Sequence, residues 1–266
     1  MDYIEVNNLN FNYNDDIKAL NKVSFSIKKG EKVVILGANG SGKSTLIQHL
    51  NGLLKPQQGS ILIDGEKICS KNVARVRQKL GIVFDNPEDQ IVASTVGEDV
   101  AFGPRNMGLN NGEVEERVNK SLSAVGISGL KDEYPFNLSF GQKKKVVIAG
   151  VLAMNPQIIV FDEPFAGLDP VSNQNMLNIL KVLNDKGHTL IIATHDVDIA
   201  YTWGEKFLIF QEGMLLKVGG DDVFYDKRLL EHAGLTSPTL IRVFEGTDIC
   251  VKSVSVANKI LRERLR

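Results

Sequence analysis

The chain has 266 residues, enough for one large or two small domains and for a core that needs no disulfide or metal staple. Its 31 basic and 32 acidic residues give a formal charge of −1, which argues against attachment to nucleic acid or anionic lipid by bulk charge and leaves room only for a local basic patch. The two cysteines, Cys69 and Cys250, lie far apart without a CxxC, so a disulfide scaffold or a cysteine zinc site does not fit, and a reducing compartment does.

The N-terminus, MDYIEVNNLNFNYNDD, has neither a basic start nor an apolar core, so no signal peptide is expected. The longest apolar stretch, 146–154, is broken by Gly150 and is far short of the roughly 20 residues a helix needs to span a bilayer. Any membrane role is expected to come through a partner.

Residues 1–36 read as strands, with Phe25 and Ile27 alternating with Ser24 and Ser26 and a turn at Lys28-Lys29-Gly30. KVVIL (32–36) is a buried strand that runs into a glycine-rich loop. A helix follows, with Leu46, Ile47, Leu50 and Leu53 on one face, closed by Gly52 and Pro56. SILID (60–64) and LGIVF (80–84) read as strands. Residues 85–112 are dense in glycine and proline and read as loops with short helices. Val114, Val118, Leu122 and Val125 predict a helix from Glu113, and a second helix runs from near Ser139 to about Met154. Residues 86–155 are thus expected to be a mostly helical insertion. Strands return at 158–164 and 189–196, flanking a helix over about 172–186, and continuous apolar runs of this kind suit buried parallel strands. KFLIF and MLLKVG flank Gln211-Glu212-Gly213 as a hairpin, and the tail from 222 carries short helical patterns.

Four strand ends carry candidate chemistry. Gly37-Ala38-Asn39-Gly40-Ser41-Gly42-Lys43-Ser44 fits GxxxxGK[ST], in which glycines let backbone N–H groups curl around phosphates at the positive end of a helix. Lys43 can reach the β- and γ-phosphates and the Ser44 hydroxyl can bind Mg²⁺. Asp162 and Glu163 end the strand IIVFD. Such a pair is often a solvated turn, but behind a P-loop the Asp can hold Mg²⁺ and the Glu can act as general base toward water. His195 ends LIIAT, and Asp85 follows LGIVF. Active sites of open α/β sheets lie at the carboxyl ends of strands, so all four can meet.

With Leu138-Ser139-Phe140-Gly141-Gln142, which looks like an LSGGQ signature, these elements resemble the ATP-binding-cassette (ABC) ATPases over residues 2 to about 235. The resemblance implies an α/β P-loop fold with an N-terminal antiparallel β subdomain, a mainly parallel core and a helical subdomain. It divides the chain into a cassette, 1–235, and a C-terminal extension, 236–266, that can make a dimer contact. Ala166-Gly167-Leu168-Asp169 resembles the D-loop, His195 the switch histidine, and Tyr13 the aromatic that stacks on adenine. ATP contacts are implied at Tyr13, Gly37, Asn39, Gly40, Ser41, Gly42, Lys43, Ser44 and Thr45. Catalytic roles are implied for Glu163, His195 and Asp85, and Mg²⁺ contacts for Ser44, Asp85 and Asp162. In this family two chains close head to tail, so Ser139, Gly141 and Gln142 are implied to serve the other chain's ATP.

The stretches 84–90 and 95–104, with QKKK through IAG, resemble the ATPases of energy-coupling factor (ECF) importers, including the cobalt and nickel type, which implies import of a vitamin or a transition-metal ion. That implies a second ATPase subunit, identical or a paralogue, a transmembrane coupling protein, a substrate-binding membrane protein, no nucleic acid, and a peripheral place on the cytoplasmic face of the cell membrane. Two positions depart from the family pattern. Asp85 stands where the family has glutamine, which predicts altered and slower hydrolysis. Phe140 replaces the first signature glycine and can change how the other chain's ATP docks. Both motivate an alternative, an ATP-binding, weakly hydrolytic subunit paired with a catalytic paralogue. A soluble ABC ATPase of nucleic-acid or ribosome work lacks its usual second cassette, coiled-coil insertion and basic footprint here. The basic tail residues Arg262, Arg264 and Arg266 read as a solvated helix face or a dimer contact.

Overall fold

The computed structural model describes residues 2–14 and 17–264. Two sheets organise it. The first is antiparallel: β1 (Asp2–Asn14), β2 (Ile17–Lys28), β4 (Gln58–Ile63) and β5 (Glu66–Lys67), in the order β2-β1-β4-β5. The second contains β3 (Lys32–Leu36), β6 (Leu80–Val83), β7 (Ile158–Asp162), β8 (Thr189–Thr194), β9 (Lys206–Gln211) and β10 (Met214–Gly219), in the order β10-β9-β3-β8-β7-β6. Its strands β9 to β6 are parallel, and β10 returns antiparallel on β9 as the predicted hairpin.

The apolar runs of the parallel strands are buried on both faces, and alternate residues separate into two cores. Val34, Leu36, Ile159, Phe161, Leu190 and Ile192 face the helical side. Val33, Ile35, Ile158, Val160, Ile191 and Ala193 face the antiparallel sheet and α1 (Lys43–Leu50). This is the period-2 geometry of a strand in a doubly covered sheet.

The helical insertion holds α3 (Val96–Asn106), α4 (Asn111–Ala124) and α5 (Phe140–Ala153), and its helices pack on one another and on β6. Val114, Val118 and Leu122 are buried on α4 as their spacing predicted. Between Ala153 and the C-terminus follow α6 (Pro170–Asp185), α7 (Val197–Trp203), α8 (Lys227–His232), α9 (Thr239–Val243) and α10 (Val254–Arg264). Leu235 joins the main core, whereas Phe244, Val251 and Ala257 form a small cluster of their own. Arg262 is exposed. Arg266 and the Arg264 side chain lie outside the described residues.

Two local expectations, for residues 85–112 and for Leu53, are corrected, and one helix was not expected. Residues 85–112 hold an 11-residue helix, α3, capped by the Thr95 side chain. Its glycines serve packing: a Cβ on Gly103 would fall 2.6 Å from Met154 Cγ, and one on Gly97 3.0 Å from Lys131 Cγ. Residues 73–79 form a helix, α2 (Val73–Lys79), with only Val76 buried, so it shows no apolar period. Leu53 lies past the end of α1 and is exposed.

The insertion is seated on the sheet through Gly81, where a Cβ would come within 2.4 Å of Val151 Cγ1 on α5. Gly81→Ala is expected to destabilise the chain by about 1–3 kcal/mol, the usual range for overpacking, read as a lower urea midpoint.

Candidate active site

The parallel register levels the carboxyl ends of four strands. Leu36 pairs with Thr194, Ala193 with Asp162, and Phe161 with Val83. The loops after β3, β8, β7 and β6 therefore deliver the P-loop, His195, Glu163 and Asp85 side by side. Glu163 and Asp85 line one cavity of about 500 Å³ with Tyr13, Asn39, Gly40, Ser41, Gly42, Lys43, Ser44, Thr45 and Asp162. His195 reaches it through Glu163.

The P-loop conformation needs its glycines. Gly42 has φ 102°, and a Cβ there would lie 2.7 Å from the Ala19 carbonyl. A Cβ on Gly37 would lie 2.4 Å from the Phe210 carbonyl. The β9–β10 turn buttresses the loop: the Gly213 N–H donates to the Ser41 carbonyl at 3.0 Å, and the Asn21 N–H to the Gly213 carbonyl at 2.8 Å. Lys43 Nζ donates to the carbonyls of Gly37 and Ala38 at 2.8 and 3.0 Å and lies 3.9 Å from Glu163 Oε1. Burial lowers its pKa, against the charges of Glu163 and Asp162. Tyr13 stands at the mouth, 52% exposed. Its hydroxyl is 3.2 Å from Thr45 Oγ1, and Phe11 meets its ring edge-on at 5.1 Å.

Glu163 is held at both oxygens. Thr194 Oγ1 donates to Oε2 at 3.0 Å, and His195 Nδ1 is 2.8 Å from Oε1. Burial raises the pKa of Asp162, the charges of Asp85 and Glu163 add to this, and the Ser44 hydroxyl and Lys43 oppose it. Asp85 sits on the same cavity despite its substitution for the family glutamine, its Oδ1 accepting from the Asn86 N–H at 2.8 Å.

Ser139, Gly141 and Gln142 do not line this cavity. They begin α5, where Ser139 Oγ accepts from the Gln142 N–H and Gln142 Oε1 accepts from the Ser139 N–H, a reciprocal cap. As an acceptor in that cap, the Ser139 hydroxyl keeps its own proton to donate. Phe140 turns onto its own chain's loop 166–169: a Cβ on Gly167 would lie 3.0 Å from the ring.

The residues fit a nucleotide and Mg²⁺. Ser41 Oγ is buried with no partner among the described residues, in a loop too close-packed for side chains at Gly37 and Gly42. A Ser hydroxyl and carboxylates are oxygen donors suited to Mg²⁺. Among the described residues no cluster of three or more His, Cys, Asp or Glu that could hold a metal ion is found.

Two residues escaped the sequence reading. Gln90 braces the strand end that leads to Asp85, accepting from the Phe84 N–H at 3.0 Å and donating to the Ile82 carbonyl at 2.9 Å. Lys144 is buried beneath Glu163. Both lay inside quoted motifs, in 84–90 and in QKKK, but neither stands at a strand end.

A P-loop before α1, an acidic pair ending β7 and a histidine ending β8 define a P-loop nucleotide-binding protein. The ABC transporter family model matches residues 20–166, and the chain belongs to that family. It is 47% identical over 245 residues to the energy-coupling factor transporter ATP-binding protein EcfA of Methanocaldococcus jannaschii, covering 91% of this chain and 88% of that one. The corresponding protein of Carboxydothermus hydrogenoformans is 45% identical over 242 residues, covering 91% and 90%. Among solved structures, CbiO1 of Clostridium perfringens, part of the ABC transporter complex CbiONQ, aligns with TM-score 0.78 and 42% identity over 91% of this chain and 98% of that one. The ATP-binding cassette MJ0796, a dimer bound to ADP and Pi in a post-hydrolysis state, aligns with TM-score 0.74 and 30% identity over 82% and 98%.

Gly42→Ala forces a side chain into left-handed backbone, at about 1–3 kcal/mol, and into the Ala19 carbonyl. ATP affinity, titrated with a fluorescent ATP analogue, is expected to fall at least ~10-fold.

Proposed function

We propose that this chain is the ATP-hydrolysing subunit of an ECF-type importer, peripheral on the cytoplasmic face of the membrane, that works as a dimer closed by ATP. Among the described residues no helix is long and apolar enough to cross a membrane. The observation that carries the reading is the convergence of Lys43, Asp85, Asp162 and Glu163 on one cavity while the signature residues lie off it. Each chain holds both halves of a site but does not bring its own halves together.

In this reading the loop 37–45 cradles the phosphates of ATP, the substrate, and Tyr13 stacks on adenine. Lys43 exchanges the loop carbonyls for phosphate oxygens. Ser44, Asp162 and Asp85 would hold Mg²⁺, which would offset phosphate charge as it develops. Glu163 takes a proton from water, whose oxygen attacks the γ-phosphorus as the bond to ADP breaks. Thr194 and His195 hold that carboxylate in place, and His195, more than half exposed, would contact the γ-phosphate. Ser139 and the amides at the start of α5 complete the partner copy's phosphate site at a helix N-terminus. ATP thus favours the closed pair by its differential affinity, and hydrolysis releases it.

Coupling runs through the insertion. Arg77, Gln78, Gln90, Val92, Phe102 and Met107 line a groove of about 480 Å³ between α2, α3 and α5. Val92 and Phe102 are 66% and 54% exposed. We assign this groove to the transmembrane coupling protein. Gln90 belongs both to the groove and to the strand end before Asp85, so a movement there reaches the site. The extension 236–266 we assign to a contact between the two ATPase chains that forms only in the ATP-closed pair and does not hold it alone, through the exposed Val254 and Val256. The alternative, a weakly hydrolytic subunit with a catalytic paralogue, rests on Asp85 and Phe140.

Mg²⁺-dependent ATP turnover of the purified chain is the test. Glu163→Gln is expected to lower kcat by about 10²–10⁴-fold, the range of a lost general base, with ATP still bound. Asp85→Gln is expected to raise turnover and to change its Mg²⁺ dependence. A parent that binds ATP without turnover would favour the paralogue reading, and equal turnover in Asp85→Gln would remove the special role of Asp85.

A further inference from the structure

Lys144, in the second turn of α5, is 1% exposed, and all three of its donors are spent on one loop. Nζ donates to the carbonyls of Glu163 at 3.1 Å, Pro164 at 3.1 Å and Ala166 at 2.8 Å, and sits 5.1 Å over the Phe140 ring. An ammonium has three N–H donors and no acceptor, so this environment satisfies it completely without a carboxylate partner in contact. Burial pushes it down to about 8, against the charges of Asp85 and Glu163.

The loop it holds is strained at one residue. Glu163 has φ 43°, left-handed backbone that costs a non-glycine residue about 1–3 kcal/mol. That turn aims the side chain back along the sheet end, onto Thr194 and His195. The strained residue is clamped on both sides: its N–H donates to the Ala193 carbonyl at 2.9 Å, and its carbonyl accepts from Lys144. The N–H clamp continues the sheet, whereas the carbonyl clamp is supplied by a side chain of the helix that begins at Ser139.

We propose that Lys144 is a positioning residue for hydrolysis, holding Glu163 in its left-handed backbone so that the carboxylate stays on Thr194 and His195. It touches no reacting atom. The same ammonium ties the start of α5 to the base and to the D-loop carbonyl of Ala166, so the segment facing the partner copy's nucleotide and the base of this chain's own site move as one body. The proposal rests on the hydrolytic reading of Glu163.

The test is steady-state Mg²⁺-ATP turnover, ATP binding and thermal unfolding of the full chain, its Lys144→Met variant, Glu163→Gln and the double variant. Lys144→Met keeps the length of the side chain and removes the donors. Expected is a kcat about 10–100-fold lower with KM and ATP affinity within about 3-fold of the parent, measured below the unfolding transition. In the Glu163→Gln background, the same substitution is expected to add no further loss, because the group it positions is already gone. A role in folding alone would lower the unfolding temperature and leave kcat of the folded protein unchanged, and that result overturns the proposal. So does an equal loss in both backgrounds. Should Lys144→Met not fold, Lys144→Gln, which is shorter, uncharged and has two N–H donors in place of three, carries the same criteria. A parent without turnover, or turnover untouched by Glu163→Gln, sinks the hydrolytic reading and the proposal with it. An unchanged kcat in Lys144→Met beside an impaired Glu163→Gln sinks the positioning role alone.

Discussion

Three carboxylates, those of Asp85, Asp162 and Glu163, are crowded onto one end of a parallel sheet, and the cavity they line is otherwise built to offset negative charge. Lys43 and Lys144 are both buried beside them, and the charges of Asp85 and Glu163 push the Asp162 pKa further in the direction that burial takes it. Like charges are gathered at such a cost where a cation and a reacting polyanion are to be held. The levelled register of β3, β8, β7 and β6 enforces the crowding, because each strand ends at the same height. The fold supplies the geometry and the lysines make it tolerable.

The lysines also connect the site to the rest of the molecule. Lys144 anchors the loop after β7 to α5, and its neighbour Lys143 pairs with Glu88 at 2.6 Å, in the turn that follows Asp85. The helix that starts at the signature is thus fastened to both acidic loops of the site. Phe140, which the sequence marks as a residue that can change how the other chain's ATP docks, lies against Gly167 of that fastened loop and under the Lys144 ammonium. The side chain that departs from the family pattern makes its contacts within the chain.

Much of this was legible in the sequence because its signals are local. KVVIL, IIVFD and TLIIAT could only be buried strands, and the glycines, Lys43 and Ser44 between one of them and an apolar-periodic helix leave little choice of conformation. What stayed hidden depends on tertiary contacts. The glycines of α3 looked like loop signals, but Gly103 is small because Met154 packs against it. Lys144 was one of three adjacent lysines in QKKK, and nothing in that run says which of them meets the carbonyls after β7. The strain at Glu163 is visible only in its backbone angle.

The central claim is that the site is divided between two copies, with Lys43 and Glu163 contributed by one and Ser139 by the other. Sedimentation of Glu163→Gln, with and without Mg²⁺-ATP, addresses it most directly. The account predicts monomers without nucleotide and dimers with it, and it predicts that adding Ser139→Arg abolishes the dimer while each chain still binds ATP. A chain that stays monomeric with Mg²⁺-ATP bound, or a dimer indifferent to Ser139→Arg, would contradict it.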